Sequence, residues 1–480
     1  MSSPSTLQVS WDKGMRQDVP RHMLAENAAW NLVDIVLGVD GLQERGGYVY
    51  SSPDLSTVKA TASYIVSGMA APFSAAEQNI CLDEDGELYK VTSSTVATDI
   101  GAAFAAVSLS FHRENVIIPD PAGSLGPKTY NGSTVAALGG SPPAGKYACV
   151  FNDWSVLGCS GALPNRIWFS AAGDPATWDT TQAWVDADQK LVGLAAVSGA
   201  VLGFTDQGVE RWSGTIAPPG SDFTHRILTT GSPAYSRSIT QTGQNVCWAS
   251  RDGIFMTDAS SVYDLSYDCG LKTYWKDLLA ADTANAWNVS AGILADRYLV
   301  LSVMNGATQI GSLVIDIPLR RAWRWTNIDA QGMWSSGPKL YFGRRGAAYV
   351  GELTSTFEKS GTYKADGDGT IVTSVIETRY FQGPSGLKTW RAVYPTYDLR
   401  DAATDNPTFQ LSYVLSPEAT SYTNVGSPLT ETTASTRARV EVNKKSEGIG
   451  LKLTCSGASA DFRLYGIDAD VYGMERSRTS

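Results

Sequence analysis

The chain has 480 residues, 43% hydrophobic and 18% charged, with a formal net charge of −10 and a pI near 5.0. This balance excludes a disordered chain and leaves room for two or three domains. The acidity argues against a surface that grips nucleic acid through clustered Lys and Arg, although not against a neutral passage for DNA.

No apolar run reaches the roughly 18 residues of a membrane span, and the opening MSSPSTLQVSWDKGMRQ lacks the apolar core of a secretory signal, so the sequence predicts a soluble chain. Glycine (46), tryptophan (14) and tyrosine (21) are plentiful, and Val, Ile, Thr and aromatic residues come in short runs punctuated by Gly, Asp, Asn and Pro. Short strands joined by tight turns, an all-β fold, account for that pattern.

In chain order, residues 1–50 read as an N-terminal arm leading into the first repeat, with RHMLAENAAWNL from Arg21 as a candidate helix. Residues 51–356 then repeat one unit: an apolar strand, a Gly-containing bend and a second strand bearing an aromatic residue. It occurs as ICLDEDGELYKV around Gly86, VLGFTDQGVERWSG around Gly208, VCWASRDGIFMTD around Gly253 and KLYFGRRGAAYVGEL around Gly346. Tyr89, Trp212, Phe255 and Tyr349 are the aromatic residues, and the bends suit positive φ. The glycine spacings divide into steps of roughly 41 to 46 residues, the length of a four-stranded propeller blade. Further hairpins around Gly132, from Tyr147 to Ser170 and from Ile293 to Ile317 fill the gaps. The sequence therefore predicts a β-propeller of about seven blades, within a range of six to eight.

LKTYWKDLLAAD spaces Leu271, Tyr274, Trp275, Leu278 and Leu279 as one helical face, predicting a short inserted helix near 271–282. ELTSTFEKSGTYKADGDGT marks a linker over 357–370. After it, SVIETRYF, KTWRAVYPTYDL, TFQLSYVLS, ARVEVN, IGLKLTCSG and FRLYGIDADVY alternate at period two, predicting a C-terminal β-sandwich over 371–480.

Chemical motifs are sparse. Cys81, Cys149, Cys159, Cys247, Cys269 and Cys455 are scattered without a CxxC pair and read as buried thiols. Phosphate loops and HExxH are absent. Ser170 to Trp178 is similar to the Asp-box turn of sialidase propellers, at a different spacing, which makes Asp174 and Trp178 turn and packing residues. Asp83 with Asp85, Asp366 with Asp368, and Asp468 with Asp470 could ligate calcium or form a glycosidase dyad, but turn positions and outward alternation explain them more simply. His22, His112 and His225 stand without a nucleophile motif. Pro318 to Asn327, PLRRAWRWTN, could stack on sugar or nucleic acid, yet reads more simply as a blade strand with solvent-facing arginines. No catalytic, cofactor-binding or metal residue emerges, and the expectation is a chain that is not an enzyme and carries no cofactor.

Several stretches resemble the propeller tail proteins of bacteriophages: the tail hub or packaged-DNA stabilisation proteins and the tail nozzles of short-tailed phages. KGMRQDVPRHML followed by DGLQERGGYVY is similar to the family's opening arm, with Gln43 and Gly46 where the family has Arg and Pro. NRIWFSAAGDPATWD, from Asn165 to Asp179, is close to its Gly-Asp-Pro hairpin, the order of blade, blade and inserted helix is kept, and FRLYGID…VY up to Tyr472 is similar to its last strands. The resemblance implies a structural virion subunit in a homo-oligomeric, hexameric ring. Its partners would be adaptor, fibre or spike proteins, and double-stranded DNA would pass through without specific binding. A tail-borne glycan-binding or depolymerising propeller protein is the alternative, and a cellular propeller scaffold a further one.

Overall fold

The computed structural model describes residues 5–8, 11–37, 41–101, 108–121, 126–197, 199–215, 218, 222–345, 347–354, 365–382, 387–400, 408–430, 435–456 and 461–473. Seven antiparallel sheets follow one another along the chain, over residues 65–101, 110–137, 147–186, 191–230, 240–264, 288–323 and 330–354. We number them blades 1 to 7. Within each, the first three strands are consecutive neighbours, and first strands face one another between most successive blades, so the first strand is the inner edge. This is a seven-bladed β-propeller.

The repeated hairpin is the same structural unit each time. Gly86, Gly208 and Gly253 lie in the turn between the second and third strands of blades 1, 4 and 5; Gly346, in the corresponding turn of blade 7, lies outside the described residues. Gly208 has the expected positive φ of 148°, and a Cβ there would sit 2.1 Å from the Thr229 carbonyl oxygen. Gly253 differs: its φ is not positive, and glycine is needed because a Cβ would lie 2.7 Å from Ser266 Oγ. Space, not backbone conformation, selects that residue.

Blade 7 is closed by the start of the propeller sequence. Val49–Tyr50 pairs antiparallel with Glu352 and Gly351 as its outer strand, and the Tyr50 ring stacks on Tyr349 with centroids 4.3 Å apart. The inserted helix is present as Lys272–Leu278, with Trp275 fully buried and its indole N–H donating to the Ser250 carbonyl at 2.8 Å.

The N-terminal arm departs from the expectation of a lead-in. Ser5–Gln8 and Leu42–Glu44 pair with Asp461–Gly473, and Ala29–Val33 pairs with Thr373–Gln382, so the arm is woven into both sheets of the C-terminal sandwich. The helix expected over Arg21 to Leu32 is instead a single 3₁₀ turn, Arg21–Met23, followed by that strand. Its helical preference loses to a site where Ala29 and Leu32 are buried between the sheets and the Arg21 guanidinium, also buried, donates to the Thr378 carbonyl at 2.7 Å. The six strands expected after residue 371 all form, divided between the two sheets.

Propeller and sandwich meet around Arg45, which is 1% exposed. Its Nε donates to Asp34 at 2.7 Å, its two Nη groups to the Asp366 carboxylate at 2.9 and 3.0 Å, and the remaining N–H groups to the carbonyls of Gly46 and Thr326. All five donors are used. Burial alone would lower the pKa of this guanidinium, but the two carboxylates hold it raised. Residues 357–364 of the expected linker lie outside the described residues, whereas Asp366 belongs to this buried cluster.

Two outcomes test this reading. Arg45→Met leaves Asp34 and Asp366 buried and unpaired and is expected to cost about 3–5 kcal/mol in chemical denaturation; a change within about 0.5 kcal/mol would remove the cluster's structural role. Gly208→Val is expected to cost about 1–3 kcal/mol through crowding against Thr229, and unchanged stability would count against the assigned turn.

Candidate functional site

A large hollow lies where the inner edges of the blades converge. All seven blades contribute to it, and its volume is about 890 Å3. Tyr64, Lys146, Lys190 and Gln331 come from the starts of first strands; Glu84, Pro121, Cys159 and Arg345 come from turns between second and third strands. In an antiparallel four-stranded blade these two positions lie at the same end, which places the hollow at one mouth of the ring. Its size falls within the roughly 300–1,000 Å3 of small-molecule sites.

The lining is basic although the chain is acidic. Its charged residues are Lys146, Lys190, Arg237, Arg345 and a single carboxylate, Glu84. Arg345 pairs with Glu84 at 3.5 Å and lies 3.7 Å above the Tyr64 ring. Among the described residues Arg237 makes two long hydrogen bonds, both from Nη1 at 3.5 Å, to the carbonyl and side-chain oxygens of Gln331. Burial pushes its pKa down, with Glu84 opposing and Arg345 reinforcing that shift. Burial also pushes the Cys159 thiol up, and Lys146 and Lys190 pull it back. The sequence does not mark this constellation, because the cations are far apart along the chain and the turns at Gly86 and Gly346 that supply two of its members stand out only as glycine bends.

The residues weighed from sequence are distributed elsewhere. His112 is buried between blades 2 and 3, with Nδ1 2.7 Å from Ser155 Oγ and Nε2 3.0 Å from Asp153 Oδ1. The three residue types are those of a hydrolytic triad, but Ser155 is 1% exposed, so the arrangement ties two blades together and presents no nucleophile to solvent. Asp153 also binds the Arg113 guanidinium, which together with His112 holds its pKa at about 2. His225 donates or accepts at 2.8 Å with Glu210, and these two with Asp188 form the grouping of metal-type ligands among the described residues, their ligand atoms within 4.8 Å of one another. Both Glu210 oxygens already accept the Asp188 backbone N–H at 3.1 Å, so this cluster satisfies itself. His22 stays near the surface in the arm.

The acidic pairs are internal partners. Asp83 is buried and accepts from Tyr89 and the Glu87 N–H, while Asp85 is exposed. Asp366 binds Arg45, and Asp368 accepts from Arg344 at 2.7 Å. Burial pushes Asp368 up, but bonds from Thr370, Arg344 and Asn327 outweigh it and leave a pKa of about 2. Asp468 pairs with Arg437, and Asp470 accepts from Tyr394. Asp174 caps its own turn through Ala176 and Thr177, and the Trp178 indole donates to the Pro175 carbonyl at 2.9 Å. In Pro318 to Asn327 the expected solvent-facing arginines are corrected in part: Arg321 turns inward to Asp316 and the Leu37 carbonyl, and Trp323 and Trp325 are buried at the seam with the arm. Five of the six cysteines are buried and none is disulfide-bonded.

No helix among the described residues is long and apolar enough to cross a membrane. No family model and no curated protein matches the chain. Among solved structures, it is similar to the Neurospora crassa Pan2 WD40 domain at 10% identity, over 65% of this chain and 95% of that one, with a TM-score of 0.41. It is also similar to the puromycin hydrolase S511A mutant complexed with PGG at 11% identity, over 69% of this chain and 61% of that one, TM-score 0.41, and to a second puromycin hydrolase structure at 10% identity, over 77% and 61%, TM-score 0.36. The expectation that the chain is not an enzyme is therefore corrected: a hydrolase stands among the chains of similar fold, and the propeller does not exclude catalysis.

Proposed function

We propose that the chain is a structural subunit of a bacteriophage tail, assembling with further copies into a ring on the DNA exit path and joining neighbouring tail components. The observation that carries this reading is the Asn165-to-Asp179 stretch, NRIWFSAAGDPATWD, whose Gly-Asp-Pro hairpin resembles that of the propeller tail proteins. In blade 3 it forms Arg166–Ala171 and Asp174–Trp178, which pair with each other. The order of blade, blade and inserted helix, over blades 4 and 5 and Lys272–Leu278, matches the same resemblance.

A subunit that bears load along a conduit also needs its domains coupled. The fully bonded Arg45 cluster and the arm shared between propeller and sandwich are suited to that demand. An acidic chain is likewise suited to a passage along which a duplex slides without being held.

Purified full-length protein is expected to form closed rings of about six copies in negative-stain images, with a matching mass by light scattering, as cyclic assembly requires. A chain that stays monomeric across the accessible concentration range and is missing from purified tailed particles encoded beside it would overturn the reading.

A further inference from the structure

We infer that the hollow at the propeller mouth binds a small polyanion with at least two oxyanion groups, the class that contains the oligophosphates. The inference is independent of the tail role and rests on the charge that the hollow leaves unanswered. Four cations and one carboxylate line it, a local formal charge of +3 in a chain of −10. Glu84 is committed to Arg345 at 3.5 Å, while Lys146, Lys190 and Arg237 have no carboxylate within ion-pair distance among the described residues. Elsewhere Arg45, Arg321 and Arg344 each meet a carboxylate at 3.1 Å or less, and buried Arg21 donates to the Thr378 carbonyl at 2.7 Å.

Arg237 is the most telling. Its guanidinium is half-buried in the wall of the hollow, that burial pushes its pKa down, and among the described residues only one of its nitrogens makes contacts, both at the outer limit of a hydrogen bond. An oxyanion reaching it from the hollow would supply the charge-assisted bonds that this partly desolvated cation lacks. The cations also fall into two sets. Arg237, just before blade 5, contacts Gln331 at the start of blade 7, the blade whose turn carries Arg345, whereas Lys146 and Lys190 lead into the neighbouring blades 3 and 4. One anionic group at either set leaves the other unanswered, which is why the ligand carries at least two. Ser160, Asn285 and Asn288 add neutral polar groups around them. The volume of about 890 Å3 suits a compact molecule and not a duplex.

The test is calorimetric titration of the full-length protein with sodium tripolyphosphate at low salt, beside inorganic phosphate, glucose and a short DNA duplex. Saturable one-to-one binding of tripolyphosphate is expected, weaker for phosphate, none for glucose, and declining as salt rises. Arg237→Gln is expected to weaken binding about tenfold or more, the scale of one lost charge-assisted bond. Lys190→Gln, at an exposed position with no ion pair to lose, should weaken it by a smaller measurable factor, and Lys276→Gln on the distant helix should leave it unchanged; melting curves confirm that each variant folds. The inference is overturned if tripolyphosphate gives no saturable heat, if glucose binds as well, if the duplex binds more tightly than tripolyphosphate, or if Arg237→Gln and Lys190→Gln bind like the unaltered protein.

Discussion

The structure depends on one buried guanidinium. Arg45 reaches from the arm to Asp34 in the same arm, to the Thr326 carbonyl between blades 6 and 7, and to Asp366 just before the first long strand of the sandwich. A cation 1% exposed can stay there only because two carboxylates and two carbonyls answer every N–H it has. The same carboxylates hold their neighbours: Asp34 accepts from the Thr326 N–H at 2.8 Å, and Asp366 accepts from the Asn327 amide at 3.0 Å. Blade closure, the arm's course and the position of the sandwich are thus fixed together. Trp325, whose indole donates to the Ile35 carbonyl, and Arg321, bound to the Leu37 carbonyl, continue the seam.

How far this was legible in sequence varied with the range of the interaction. A turn is a local event, so the second-to-third-strand hairpins around Gly86, Gly208 and Gly253 announced themselves, and with them the blade period. The short helix was legible because Trp275 and Leu279 recur on one face. Arg21 to Leu32 misled for the converse reason: its alanines and leucines favour a helix locally, and only the pairing with Thr373–Gln382, more than three hundred residues away, makes it a strand. The cations of the hollow were invisible for the same reason, since nothing in Lys146, Lys190, Arg237 or Arg345 as residues distinguishes them from surface charges until seven blades bring them to one place. Arg321 and Asp366 looked like a solvent-facing strand residue and a linker residue, because burial at a domain seam leaves no periodic trace.

Charge is distributed against the average. A chain of net −10 surrounds a basic hollow, so the potential at the mouth is set by the few groups nearest to it and not by the total. Away from the mouth, polar groups answer one another: His112, Ser155 and Asp153 across blades 2 and 3, and Glu210 and His225 within blade 4.

The arm's course has a consequence for the order in which the chain can be completed. Ser5 faces Val471 and Val49 faces Glu352, so the seventh blade lacks a strand partner until residues 350–354 have been made, and the sandwich lacks one until residues 461–473 have. During synthesis, blades 1 to 6 can assemble from neighbours as they emerge, while the arm waits with unpaired edges. Such long-range pairing is slow and leaves open edges at risk of joining the wrong partner. The interlock that couples the two domains in the finished molecule therefore leaves residues 5–8 without their partners through the synthesis of all seven blades, and among the last to find their place.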